Sequence, residues 1–332
     1  MLFVHIGTHK TGTSALQMFF TTYHDSLAAK GVHYLKSGRG QMRAHHTLAW
    51  AIRGMHGRKM SVWDETRDEL AQSKAPINII SSEALWFTDP ASVKEQLKDR
   101  DDVRVVIYLR RQDQYLQSLY KQAVTSGRKD DFRSWRTQTG DRGDYLSVLR
   151  AWASAFGREN LILRAYERDD ARVDVTQDFF ETIGVDVAAE IAERDTRQGR
   201  HNPSPRHELL SLIRAANKTP YKFEHDKFFW SVIHGNGAYV GSSDLLGYDE
   251  CVALMRDYEG INRGLSEEFF DGRDIFPPIK RKDIPPAWSI DDEDYVAMTA
   301  HFLEKLLDLA MSGEMKRKPR AAKARQDTAK EE

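Results

Sequence analysis

Lys10, Arg110, Ser118 and Glu83 are the residues whose types and spacing could do chemistry on a phosphate ester. Lys10 sits in 3-FVHIGTHKTGTSALQMFF-20, which reads as a buried strand, a glycine-bounded loop and the opening of a helix. A chain that runs from strand through glycines into a helix presents successive backbone N–H groups at the helix N-terminus, where the dipole favours an anion. The ATP-binding form of such a loop is GxxxxGK[ST], with lysine straight after the second glycine. Here the frame from Gly7 to Gly12 is kept, Thr13 stands where that lysine belongs, and Lys10 lies inside the loop. An ammonium there approaches a bound phosphate from the other side, toward a leaving-group oxygen rather than a β/γ-phosphate pair. The expected anion-binding set is His9, Lys10, Thr11, Gly12, Thr13 and Ser14.

A second element is 105-VVIYLRRQDQYLQSLYKQ-122, an apolar strand that ends in two arginines and a helix that carries Ser118. An arginine at the end of a parallel strand and a serine two turns into the next helix converge on the crevice where α/β sheets bind ligands. Arginine also supplies the forked donor that phosphate prefers. The register leaves both Arg110 and Arg111 open for this role. Two phosphate sites on one core point to a ligand with two separate phosphates. Transfer of a charged group to a hydroxyl further needs a base. Glu83 lies just past the run 77-INIIS-81, where partial burial beside Trp86 or Phe87 is expected to raise its pKa. His46 is the alternative base, with His45 and His33 behind it.

HIGTHKTGTSALQ resembles the 5′-phosphosulfate loop of the sulfotransferases that use PAPS (3′-phosphoadenosine 5′-phosphosulfate), most closely the bacterial type akin to the carbohydrate branch. In that family an arginine followed eight residues later by a serine holds the 3′-phosphate, which corresponds here to Arg110 and Ser118. The carbohydrate branch uses a glutamate as base, which the resemblance places at Glu83. It further implies PAPS as donor, no required metal, and a carbohydrate or glycolipid hydroxyl as acceptor. Weaker likenesses lie at 160-NLILRAYERDD-170, with Glu167 read as structural, at 202-NPSPRHELL-210 and at 258-YEGINRGLSEEFF-270. The RKGxxGDWKN element of the cytosolic small-molecule sulfotransferases is missing, which speaks against phenols and steroids as acceptors. The competing reading is a P-loop nucleoside or sugar kinase using ATP and magnesium.

The elements that must position these residues are legible as short β-branched runs at 2–6, 77–81, 103–109 and 160–166, with GVHYL as a further strand-like run. Amphipathic helical patterns separate or follow them at 13–29, 112–126, 145–157 and 173–186. Alternating strands and helices predict an α/β fold with a parallel sheet flanked by helices. We read residues 1–312 as one domain, with a nucleotide-binding core over 1–195 and a mostly helical cap over 196–312. Helices are expected at 204–217, 249–257 and 290–311, and the aromatic stretch 221-YKFEHDKFFW-230 suits either packing or sugar stacking. Residues 313–332 read as a disordered basic tail able to touch an anionic membrane surface weakly.

Composition bounds the rest. A formal net charge of −1 over 332 residues argues against general nucleic-acid binding. The single cysteine, Cys251, excludes an internal disulfide framework and a cysteine-rich zinc module. Nothing approaches the ~18 consecutive apolar residues of a membrane span. Residues 2–7 lack the basic lead-in of a signal peptide, so a soluble, cytoplasmic protein is expected.

Overall fold

A computed structural model gives the fold, and it describes residues 1–40, 42–168, 171–197, 206–219, 221–222, 228, 232, 245–280, 293–313 and 315–317. The chain opens with Leu2–His5 (β1), Thr13–Thr22 (α1), His24–Ala29 (α2), Val32–Tyr34 (β2), His46–Ile52 (α3) and Ser61–Gln72 (α4). It continues with Ile77–Ser81 (β3), a 3₁₀ turn at Glu83–Phe87, Pro90–Gln96 (α5), Val103–Leu109 (β4), Gln112–Thr125 (α6), Phe132–Gln138 (α7) and Tyr145–Phe156 (α8). Next come Leu161–Ala165 (β5), Glu167–Arg168 (β6), Ala171–Arg172 (β7), Val175–Thr182 (α9), Ala188–Arg197 (α10), His207–Lys218 (α11) and Tyr221–Lys222 (β8). Tyr248–Arg256 (α12), Glu259–Phe269 (α13), Glu293–Met311 (α14) and Lys316–Arg317 (β9) complete the described elements.

Strands β1 to β5 form a five-stranded sheet in the order β2-β3-β1-β4-β5, and every neighbouring pair is parallel. The register sets His5 opposite Ser81 on one side and Val106 on the other. One face of the sheet carries Phe3, Tyr34, Ile79, Val106 and Tyr108, which pack with Leu16, Phe19 and Phe20 of α1 and Phe179 and Phe180 of α9. The opposite face is as well covered, since Leu2, Val4, Ile80, Val105 and Ile107 are fully buried. Burial on both faces explains why these strands read as continuous β-branched runs rather than alternating ones.

The order also fixes where a ligand belongs. The chain leaves β1 toward β2 on one side of the sheet and leaves β4 toward β5 on the other. Such a reversal opens a crevice at the carboxyl ends of two adjacent strands. The 6–12 loop follows β1 and Arg110 follows β4, so the two segments expected to bind phosphate flank that crevice.

The helical pattern over 13–29 is broken in the structure. Tyr23, at φ −103° and ψ 26°, separates α1 from α2, and its ring packs 4.6 Å from that of Phe19. Both Tyr23 and Leu27 join the core.

The chain divides into two compact units, one of Met1–Leu119, Arg136–Asn202 and Leu246–Asp283, the other of Tyr120–Trp135, Pro203–Leu245 and Ile284–Glu332. The first holds the whole sheet and all the candidate residues. In the second, Phe228 meets Phe302 of α14 edge-on at 5.3 Å, and Asn217 of α11 donates to the carbonyls of Val124 and Arg128, each at 2.8 Å. The strands β8 and β9 pair antiparallel. Most of the aromatic stretch 221–230, residues 202–205 and the tail beyond 317 lie outside the described residues. Among the described residues, no helix is long and apolar enough to cross a membrane.

Candidate functional site

The loop after β1 is built from beneath. The Thr8 backbone N–H and hydroxyl both donate to the carbonyl of Tyr108 on β4, at 3.2 and 3.1 Å. The Thr11 hydroxyl donates back to the Thr8 carbonyl at 2.7 Å. Gly7 is a glycine because the His5 ring passes under it; a Cβ there would stand 2.7 Å from His5 Nε2. Gly12 needs its residue type for two reasons. Its φ is +77°, and a Cβ would press to 3.1 Å on Val175 of α9. Lys10 itself adopts φ 67° without being glycine, a sparsely populated conformation that packing must impose.

Gly12 caps α1 with no side chain, and the first turn of that helix holds no acidic residue. The amides at its start therefore face outward with the positive end of the dipole behind them. Burial, then the charge of Arg110, hold the Lys10 ammonium below the ordinary lysine range, with Glu83 acting the other way. A lysine under that pressure gains from an arriving anion.

Arg110 and Arg111, equal in the sequence, part company in the structure. Arg111 grips Asp113 with two nitrogens, at 2.7 and 3.1 Å, and donates to the carbonyl of Pro277 at 3.0 Å. That is a helix-start and loop-anchoring role. Arg110 instead donates to the Lys10 carbonyl at 3.2 Å and to Gln114 Oε1 at 3.0 Å. It lies 3.4 Å from Glu167 and above the Tyr166 ring at 5.3 Å. Gln114 and Ser118 are four residues apart on α6 and so share a face; Ser118, half-buried, lies one turn beyond the amide that Arg110 touches. Tyr145 of α8 donates to the Arg110 carbonyl at 2.8 Å. The segment 258–270 acquires a role here, since Asn262 of α13 exchanges hydrogen bonds with Gln112 at 2.6 and 3.3 Å and braces the start of α6.

Glu83 opens the 3₁₀ turn after β3 and is 9% exposed. Its Oε2 accepts from Gln17 Nε2 at 2.9 Å, while Oε1 faces His46 Nε2 at 3.8 Å. The sequence reading expected burial to raise its pKa. Burial does push upward, but His46, the Gln17 hydrogen bond, its own backbone N–H and His9 together hold Glu83 below the usual carboxylate value. The carboxylate is thus ionised at neutral pH and can accept a proton, with less basicity than the apolar-pocket picture implied. His46 is oriented by Ser82 Oγ, 2.8 Å from its Nδ1.

His9 stacks on Phe87 at 5.4 Å, and Arg142 covers the same ring at 5.4 Å. Burial outweighs the attraction of Glu83 and lowers the His9 pKa. Two other histidines leave the site. His45 is fully buried between strands, taking the Ser81 N–H on Nδ1 at 3.1 Å with Nε2 at 3.0 Å from the Leu35 carbonyl, and burial lowers its pKa to about 3. His33 pairs with Glu69 at 2.8 Å beside an open cleft of about 640 Å³.

The structure therefore brings Lys10 within electrostatic reach of both Arg110 and Glu83, adds His9 and His46 beside Glu83, and lays Ser118 along α6. Sequence reasoning missed Gln17, Gln114, Arg142 and the half-buried Trp50, whose ring lies 5.7 Å from His46. Helical spacing could have found two of them, Gln17 four residues after Thr13 and Gln114 four before Ser118. Among the described residues, no three His, Cys, Asp or Glu side chains group as a metal-binding set.

No family model matches the chain. Over 215 residues it is 26% identical to an uncharacterized protein of Archaeoglobus fulgidus, an alignment that covers 62% of this chain and 55% of that protein. The chain thus spans about half the length of the curated relative it matches. A solved structure described as a sulfotransferase from Alicyclobacillus acidocaldarius matches with a TM-score of 0.39 and 19% identity, over 55% of this chain and 81% of that one.

Proposed function

We propose that the chain moves a sulfonate group from PAPS to a hydroxyl of a carbohydrate or glycolipid acceptor. The observation that supports this reading best is the position of Lys10. It lies inside the loop rather than after it, at the switch crevice, near enough to Arg110 and Glu83 to feel both charges. When bound, PAPS supplies a sulfonate on its 5′-phosphate and a second phosphate at the 3′ position. Lys10 and the amides from Thr11 to Ser14 stabilise the charge that grows on the departing 5′-phosphate oxygen. Arg110 and Ser118 hold the 3′-phosphate. The acceptor oxygen bonds to sulfur as its proton passes to Glu83, whose Oε1 faces away from Gln17. His46 and the exposed side of Trp50 line the approach, and an indole suits the apolar face of a sugar ring.

The test is transfer of radiolabelled sulfonate from PAPS to a panel of glycans and to water. Lys10→Ala should lower the rate roughly a hundredfold or more with the fold intact by circular dichroism. Undiminished transfer in that variant contradicts the assignment.

A further inference from the structure

We infer that Gln17 is a positioning residue for the base, tying one oxygen of Glu83 to the helix that faces the anion. The inference rests on the base role given to Glu83 above. Gln17 lies one turn beyond Thr13 on α1 and is 4% exposed. Its side-chain nitrogen donates to Ser81 Oγ at 3.3 Å and to Glu83 Oε2 at 2.9 Å. A primary amide has two hydrogens, and both are used, so neither the amide nor the carboxylate can turn without breaking a bond. Ser81 Oγ in turn lies 2.8 Å from His5 Nδ1. The serine hydroxyl, with one hydrogen and two lone pairs, thus bridges the Gln17 amide and the imidazole. Burial lowers the His5 pKa to about 4, so the ring stays neutral in this role.

A buried chain of four side chains thus runs from the floor of the loop to the carboxylate, in the order His5, Ser81, Gln17, Glu83. Its consequence is asymmetry between the two oxygens of Glu83. Oε2 is tied, and Oε1, 3.8 Å from His46, is left to take the acceptor proton. The same helix presents its first-turn amides to the leaving phosphate and its Gln17 to the base, so the two ends of the reaction are set by one rigid element. A glutamine that merely filled the core would have no hold on the titration of Glu83.

The deciding measurement is carbon-detected titration of the Glu83 carboxyl in full-length protein, with the resonance assigned by its loss in Glu83→Gln. In Gln17→Leu the midpoint should move upward, because a hydrogen bond to the charged form is lost. An unchanged midpoint overturns the inference. Should Gln17→Leu fail to fold, the wild-type Gln17 side-chain amide protons are read over the same pH range. They should titrate with the Glu83 midpoint, and a flat response overturns the inference equally. Calorimetry of adenosine 3′,5′-bisphosphate on the wild type judges the donor reading separately, since its binding does not depend on how Glu83 titrates.

Discussion

Two histidine–glutamate pairs border the carboxyl side of this sheet, and they differ in what is left over. Glu69 is saturated: His33 lies 2.8 Å from it, and the backbone N–H groups of Lys36 and Ser37 donate to it at 2.7 to 3.1 Å. Burial acts upward, yet these bonds bring its pKa down to about 2. It is a fastener for the turn after β2. Glu83 receives one firm side-chain bond on one oxygen and stands 3.8 Å from a histidine with the other. A saturated pair holds a backbone in place; a pair with a gap at one oxygen can accept a proton from something that enters. The same contrast separates Arg111, spent on Asp113 and the Pro277 carbonyl, from Arg110, which spans the loop and α6.

The sharpest way to break the comparison is to neutralise both acids. Glu83→Gln should reduce transfer by on the order of 10²- to 10⁴-fold while nucleotide binding persists. Glu69→Ala should leave transfer near wild type and lower unfolding stability by about 2 kcal/mol, measured by urea titration. Equal catalytic losses in the two variants would erase the distinction. The arginines give the next effect. Arg110→Ala should weaken binding of adenosine 3′,5′-bisphosphate roughly thirtyfold, and Ser118→Ala more mildly and only for 3′-phosphorylated ligands. Arg111→Ala should act on the melting temperature first, and a reversed pattern would exchange their roles.

A last effect acts on stability rather than on transfer, and it concerns pH. The pKa of His5 falls from 6.5 to about 4 and that of His45 to about 3, chiefly by burial. Their unfolded forms bind protons that the folded forms refuse, so stability present above pH 6.5 is lost as pH falls toward 4 for His5 and toward 3 for His45. The depressed Glu69 adds a loss below 4.5 as pH falls toward 2. A urea midpoint that stays level from pH 7 to pH 4.5 would contradict the buried neutral histidines.

The sheet was legible because its strands are buried on both faces. Four apolar runs matched four strands within a residue or so at each end, and the strand-like GVHYL supplied the short β2. The loop frame was legible because glycine is demanded at two positions, by φ at Gly12 and by the passing His5 ring at Gly7. Contacts across long sequence separations were not legible. No local pattern says that Gln17 meets Glu83, that Asn262 meets Gln112, or which of two adjacent arginines turns toward the loop. The Glu83 pKa was misjudged for the same reason, because proximity to Trp86 and Phe87 is visible in sequence while His46, His9 and Gln17 converge only in the fold.

The most direct test of the central claim is calorimetric titration of the full chain with adenosine 3′,5′-bisphosphate in the absence of metal, with adenosine 5′-monophosphate and ATP–magnesium as comparison ligands. The account predicts micromolar binding of the bisphosphate, clearly tighter than the monophosphate and indifferent to magnesium. Binding of ATP only with magnesium, or equal affinity for the two adenosine phosphates, would contradict it and favour a kinase.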